Sequence, residues 1–293
     1  MYSCIANATG TASAYGGGIY TDGNLSLINS TVSGSFALSA AKSAYGGGAN
    51  VYQNLFAYNS TISDNAALAP GPAAYGGGLR TVGNAIVLQS TISGNRAHGA
   101  AGWFATAQGP TTVSISASTI SGNIASGRIG GLASKNYLTL SNSTIAFNQA
   151  GDPVGAGLYT YGYPLTLQSS IIADNTVAST GAPSDLGGPL GPPSGHNNLI
   201  TSAQGVLLPH GTFTSCPKLG PLADNGGPTQ THALLHSSGA IDTGNNTAGQ
   251  GNDQRGSAYP RVFGSAADIG AYEWQGTPDD RLFVSRFESA CDS

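Results

Sequence analysis

The block Ser90-Thr91-Ile92-Ser93-Gly94-Asn95 decides the fold, because variants of it recur along most of the chain. The sequences STVSGS, STISDN, STISGN, STISGN, STIAFN and SIIADN begin at Ser30, Ser60, Ser90, Ser118, Ser143 and Ser170, at steps of 30, 30, 28, 25 and 27 residues. A second block, Tyr-Gly-Gly-Gly, begins at Tyr15, Tyr45 and Tyr75. Self-similarity at this period is typical of solenoids, in which each repeat packs against its neighbours.

Each repeat contains short β-prone runs separated by glycine and asparagine turns, so that one repeat forms one turn of a coil. Its strands then pair with those of the next coil about 4.8 Å away. The sequence predicts an all-β fold, a right-handed single-stranded parallel β-helix of about six to eight coils with an irregular C-terminal cap. The predicted domains are β-helix repeats over 1–200, a capping region over 201–275 and a tail over 276–293.

Stacking places equivalent residues of successive coils in columns. The aliphatic position of the block predicts a buried column formed by Val32, Ile62, Ile92, Ile120, Ile145 and Ile171. The last position predicts a hydrogen-bonded ladder, because a carboxamide both donates and accepts and can satisfy the corner backbone. This ladder consists of Asn65, Asn95, Asn123, Asn148 and Asn175. Threonines next to the isoleucines should face outward as a row of hydroxyl groups.

The composition argues against several classes of protein. Only 8% of the residues are charged, and there are 44 glycines, so amphipathic helices with a charged face are not expected. The net charge is −4 and no basic cluster occurs, which argues against nucleic acid as a partner. No apolar run is long enough to cross a bilayer. The polar composition favours an extracellular protein, although the first residues lack a signal peptide, which has been removed or lies upstream in a longer product.

The three cysteines, Cys4, Cys216 and Cys291, do not define a disulfide framework. Cys216 and Cys291 can pair in an oxidising compartment, which leaves Cys4 free or paired outside the chain. The sequence does not decide between these alternatives.

Both repeated blocks together resemble the repeats of bacterial right-handed β-helix proteins, including the pectate-lyase-like and polymorphic outer-membrane-protein-like superfamily, over about 15–198. The segment that begins at Leu219 resembles the choice-of-anchor Q domain, which ends many secreted bacterial β-helices. The resemblance rests on LGPLADNGGPTQTHALLHSSGAIDTGNN from Leu219, DQRG from Asp253 and ADIGAYE from Ala267. The resemblance implies a place outside the cell or on a bacterial cell surface. It also admits polysaccharide lyase or glycoside hydrolase activity.

Aromatic residues supply the candidate ligand-binding site. Tyr15, Tyr45 and Tyr75 should stack, either as a packing ladder or as a platform for sugar rings. Tyr159, Tyr161 and Tyr163 are the other candidate tyrosines. Arg80 follows the third glycine triplet, and Trp103 and Phe104 stand where the fourth coil lacks that triplet, which marks an irregularity.

No catalytic residue or cofactor is predicted from the acidic and histidine residues. Asp64 and Asp174 occupy equivalent corners four coils apart, about 19 Å, too far to act as a pair. The charged residues of the C-terminal region should form Arg–carboxylate pairs, and a calcium site built from Asp242, Asp253 and Asp268 is the alternative. His232 and His236 have zinc-like spacing, but an extended segment without a third ligand is the preferred interpretation.

Three functions follow as hypotheses. The preferred one is a secreted or cell-surface, non-catalytic β-helix protein that mediates adhesion or binds extracellular polysaccharide or cell-surface components. One alternative is a polysaccharide-degrading lyase or hydrolase, and the other is a structural spacer or a protomer of a surface assembly. Whether the chain is an enzyme, and its oligomeric state, are left open by the sequence.

Overall fold

The computed structural model describes residues 4–189 and 191–276, which form an all-β structure without a helix. Parallel strands stack into a β-solenoid of about seven turns, which confirms the predicted β-helix. The described residues therefore contain no helix that could cross a membrane. The predicted boundary near residue 200 stays a prediction, and the predicted tail after residue 276 lies outside the described residues.

Five parallel sheets run along the coil, and we name them in the order in which one coil visits them. The tyrosine sheet consists of Ala14–Tyr15, Ala44–Tyr45 and Ala74–Tyr75. The post-glycine sheet consists of Ile19–Thr21, Ala49–Val51, Leu79–Thr81, Trp103–Ala105, Leu132–Ser134, Leu158–Thr160, Leu186–Gly187 and Ala203–Gln204. The leucine sheet consists of Leu25–Ile28, Leu55–Tyr58, Ala85–Leu88, Thr112–Ser116, Tyr137–Ser141 and Leu165–Gln168.

The other two sheets complete each coil. The isoleucine sheet consists of Thr31–Ser33, Thr61–Ser63, Thr91–Ser93, Thr119–Ser121, Thr144–Ala146, Ile171–Ala173 and Leu199–Ile200. The alanine sheet consists of Ile5–Ala8, Phe36–Ser39, Ala66–Leu68, Arg96–Ala97, Ile124–Ala125, Gln149–Ala150 and Thr176–Val177.

The glycine triplets let the tyrosine and post-glycine sheets meet at a tight corner. Gly46 has a φ of 62°, in the left-handed region. A Cβ on Gly47 would lie 2.3 Å from the carbonyl oxygen of Ala66, closer than any side chain allows. Gly46 and Gly47 are therefore required by the backbone of the corner in which they stand.

The aliphatic column forms with one correction at its end. Val32, Ile62, Ile92, Ile120 and Ile145 pair in register and point into the core, as predicted. The next member is Ile172, because Ile145 pairs with Ile172 and Thr144 pairs with Ile171. Assigning Ile171 to the column was wrong by one residue, and strand alternation turns Ile171 to the outer face instead.

The predicted asparagine ladder is present and fully buried. Each side-chain amide donates to the Oδ1 of the next asparagine, at 3.0, 2.9, 2.8 and 2.8 Å from Asn65 to Asn175. Each Oδ1 from Asn95 onward also accepts the backbone N–H of the preceding asparagine. The ladder ends on the buried carboxylate of Asp185, which accepts from Asn175 at 2.9 Å and from Thr201 and Ser202.

Two further ladders run parallel to this one. Serine hydroxyls at the start of the repeated block accept backbone N–H groups of the preceding coil, at Ser60, Ser90, Ser118, Ser143 and Ser170. On the surface, Asn54 donates to Asn24 and Asn84 donates to Asn54. Polar columns therefore support the coil both at a buried corner and at an exposed one.

The C-terminal region lies along the outer face of the isoleucine sheet. It contains one antiparallel hairpin, formed by Leu219–Ala223 and Thr231–Leu234. The Gln254 side chain bridges Thr91 and Thr119, and the backbone N–H of Ala271 donates to the Thr144 hydroxyl. The threonine row thus faces outward as predicted, but Thr91, Thr119 and Thr144 are buried beneath this region.

Candidate functional site

The stacked tyrosines continue into a longer aromatic row. Ring centroids are 5.3 Å apart between Tyr15 and Tyr45, 6.1 Å between Tyr45 and Tyr75, and 5.1 Å between Tyr75 and Phe104. The rings are stacked within 15 to 30° of parallel. Register in the coil positions them, because Tyr15, Tyr45 and Tyr75 pair directly in the tyrosine sheet.

Cationic side chains extend this row. The Arg80 guanidinium lies 4.8 Å from the ring centroid of Tyr45 and 5.2 Å from that of Tyr52, and it donates to Asn50 at 2.9 Å. The Lys135 ammonium lies 5.8 Å from the ring of Phe104 and 4.9 Å from that of Tyr161.

The far end of the row is formed by a second aromatic pair. Tyr161 and Tyr159 meet edge to face at 4.9 Å, and the Arg128 guanidinium lies 5.8 Å from the ring of Tyr159. We call the whole surface the aromatic strip, and it consists of Tyr15, Tyr20, Tyr45, Tyr52, Tyr75, Arg80, Phe104, Arg128, Lys135, Tyr159 and Tyr161.

Trp103 does not belong to the aromatic strip, although it was a candidate ligand-binding residue. Its side chain is fully buried in the core, and its indole N–H donates to the Thr81 hydroxyl at 2.9 Å. Strand alternation directs Trp103 inward and Phe104 outward. Phe104 was singled out with Trp103, and it stacks on Tyr75 outside the core of the coil but is itself largely buried, with 9% exposure. Trp103 pairs with Leu79 and Phe104 with Arg80, so both residues follow the triplet position, which is occupied by Ala100-Ala101-Gly102.

Stacking determines which parts of the aromatic strip a ligand can touch. Neighbouring rings cover each other's faces at 5 to 6 Å, so the tyrosines present mainly their edges and hydroxyl groups to solvent. At the N-terminal end, the Tyr20 hydroxyl donates to Asp22 at 2.6 Å, which raises the pKa of Tyr20 to about 12. The surface is thus a row of hydroxyl groups with interspersed cations rather than a set of open ring faces.

A separate groove of about 550 Å³ lies between the corner that follows the isoleucine sheet and the C-terminal hairpin. Ser121 and His232 both line it, and Ser121 Oγ is 2.7 Å from His232 Nε2. His232 Nδ1 is 2.7 Å from the carbonyl oxygen of Gly220 on the partner strand. Burial lowers the pKa of His232 to about 4, so the imidazole is neutral at pH 7.

The two corner aspartates, Asp64 and Asp174, line the same groove. The register of the isoleucine sheet confirms that they are four coils apart, about 19 Å. Burial, together with the nearby Asp185, raises the pKa of Asp174 to about 6. This separation does not suit the paired carboxylates of a glycosidase.

The candidate calcium ligands Asp242, Asp253 and Asp268 are each engaged by protein donors. Asp242 accepts the backbone N–H groups of Ser265 and Ala266, and Asp268 accepts those of Asp242 and Trp274. Asp253 pairs with Arg255 at 2.7 Å. Within the described ranges no group of three or more His, Cys, Asp or Glu residues could hold a metal ion.

Buried ion pairs fix the C-terminal region, as the preferred interpretation of its charges predicted. Arg261 and Glu273 are fully buried and pair at 2.9 Å. The Arg255 guanidinium is sandwiched between the rings of Tyr259 and Tyr272, 3.8 Å from each centroid.

His232 lies in the hairpin strand and not in a helix, as expected, and His236 lies after it. Cys4 is exposed with a free thiol, whereas the proposed pairing of Cys216 involves Cys291, outside the described residues.

These features place the chain among parallel β-solenoid repeat proteins. No protein-family model, no curated protein and no solved structure matches it.

Proposed function

We propose that the aromatic strip binds a linear carbohydrate chain and that the protein acts outside the cell in adhesion or in contact with polysaccharide. The observation that carries this proposal is the row formed by the hydroxyl groups of Tyr15, Tyr45 and Tyr75 and the cationic groups of Arg80 and Lys135 on neighbouring coils. Its 5 to 6 Å spacing offers hydrogen bonds at regular intervals to a ligand that lies along the coil axis. The Asp22 carboxylate at the N-terminal end of the strip already accepts the hydroxyl group of Tyr20, which favours binding over catalysis at that end.

The proposed pectate-lyase-like relationship rests on the resemblance of the repeated blocks, and the proposed choice-of-anchor Q relationship rests on the resemblance of the segment that begins at Leu219. They support a place at a bacterial cell surface and favour polysaccharide as the partner.

The test is a glycan array with a polysaccharide-depletion assay on the full chain, in calcium and in chelator. Tyr45→Phe keeps the ring stack and removes one hydroxyl group, and Arg80→Gln removes one cation. We expect each variant to weaken binding about 5- to 10-fold, which corresponds to one hydrogen bond. Tyr163→Phe is the matched control, because Tyr163 is exposed but pairs with Tyr137 outside the strip.

Retention that Tyr45→Phe and Arg80→Gln reduce, and that Tyr163→Phe leaves unchanged, supports the proposal. Absence of retention on every glycan, or equal retention by all variants, would contradict it.

A further inference from the structure

The contact between Ser121 and His232 joins residues that are 111 positions apart in the chain. A backbone carbonyl can only accept a hydrogen bond, so the proton of His232 is on Nδ1 and is donated to Gly220. Nε2 therefore presents its lone pair to the Ser121 hydroxyl, which donates to it. A serine bonded to a base, with the base oriented by a third group, is the arrangement of an activated nucleophile.

Two other serines make the position of Ser121 informative. Ser63 and Ser93 stand in the same register of the isoleucine sheet and line the same groove. In the described structure His232 bonds Ser121 and neither of the other two. The repeat alone therefore explains a serine at this position, but not its pairing with a buried neutral imidazole.

The size and the mostly apolar lining of the groove suit an acyl group. Phe147, Leu219, Pro221 and Leu222 give it mostly apolar walls, and the Phe147 ring lies 4.9 Å from the imidazole of His232. Gln230 stands directly before the hairpin strand Thr231–Leu234, and its exposed side chain lines the same groove. Its amide is a donor for negative charge that develops on a carbonyl oxygen.

We propose that Ser121 is a catalytic nucleophile and that this groove hydrolyses esters of short apolar acyl groups. Ser121 Oγ forms a bond to the ester carbonyl carbon while its proton passes to His232 Nε2. The ester C–O bond then breaks, and the same proton goes to the leaving alkoxide. Water then loses a proton to His232 Nε2 and attacks the acyl carbon; the bond from that carbon to Ser121 Oγ breaks, Oγ takes the proton back from His232, and the carboxylic acid leaves. The groove shares no residue with the aromatic strip, so the two proposals fail independently.

The test is covalent labelling of the full chain with a fluorophosphonate probe, followed by peptide mass spectrometry and by hydrolysis of p-nitrophenyl butyrate. We expect one adduct, on the peptide that contains Ser121, with Ser63 and Ser93 unmodified as internal controls. Ser121→Ala should abolish labelling and turnover, and His232→Gln should slow both about 100-fold. Ser33→Ala is the control variant, since Ser33 has the same register but lies outside the groove.

Two further results distinguish a catalytic Ser121 from a Ser121 whose hydrogen bond only holds the hairpin to the coil. Gln230→Ala should lower turnover about 100-fold without loosening the fold, because that side chain is exposed. The labelling rate should also fall as the pH approaches 4, where His232 becomes protonated. An unlabelled Ser121, turnover that survives in Ser121→Ala, or unchanged turnover in Gln230→Ala would overturn the proposal.

Discussion

At the residue scale, the asparagine ladder shows why one residue type recurs at a corner. Asn123 donates to the backbone carbonyl of Ile92 and to Asn148, and its Oδ1 accepts from both nitrogens of Asn95. All of these groups are buried. A carboxamide both donates and accepts, so one side chain satisfies neighbours above and below, and each satisfied group avoids the cost of a buried polar atom without a partner.

Replacing Asn123 by Ala is expected to lower the free energy of unfolding by about 3 kcal/mol, because it leaves buried backbone and side-chain groups unpaired. Asn54→Ala is the control, since Asn54 makes similar contacts to Asn24 and Asn84 in an exposed ladder, where water replaces the lost bonds. Chemical denaturation of both variants checks this. Equal losses would show that burial does not determine the energy of the ladders.

At the scale of elements, the hairpin is held to the coil by a histidine that must stay neutral. His232 is buried, and burial lowers its pKa in the folded state to about 4, below the ordinary value of 6.5. The folded state therefore binds fewer protons than the unfolded state between these values, so its stability falls as the pH drops through this window. Asp174, Asp268 and Glu273, with pKa values raised by burial to about 6, 6 and 7, act with the opposite sign.

We expect the hairpin to loosen as the pH falls from 6.5 to 4, with a loss of about 3 kcal/mol from His232. Limited proteolysis or amide exchange of Leu219–Leu235 against pH measures it. His232→Gln has no titrating group at this position, so the difference between the two proteins isolates the histidine from the acidic residues. Parallel pH profiles for wild type and variant would refute this assignment.

At the scale of the whole molecule, the C-terminal region supports the coil unevenly. Its hydrogen bonds to the coil begin at Gln89 and Thr91 and continue to Asn197. The C-terminal region covers the earlier coils less completely. In the coil at the N-terminal end, Thr31 is exposed, and Ile19 and Leu25 are only partly buried. In a stack, stability is a sum of coil and neighbour terms, so uneven support produces a gradient along the axis.

Amide exchange should therefore be fastest in the coil of Ile19–Ser33 and slowest in the strands Thr119–Ser121 and Thr144–Ala146. Gln254→Ala removes the bridge between Thr91 and Thr119 and should raise exchange in the covered coils alone. Uniform protection along the stack would indicate that the coil unfolds as a single unit and that the C-terminal region adds no local support.

The sequence by itself determined the coil, the inward isoleucines, the stacked tyrosines and the asparagine ladder. Each of these features depends on a contact between one repeat and the next. The same residue type therefore recurs at the same position in successive coils, and the sequence shows it. The tertiary structure alone decided that Trp103 is buried, that Ile171 faces outward under the C-terminal region, and that Ser121 meets His232. The ladder's end on Asp185 was equally unforeseen. These contacts join repeated residues to non-repeated residues far along the chain. The periodicity of the repeats therefore cannot predict them, because it describes only contacts between one coil and the next.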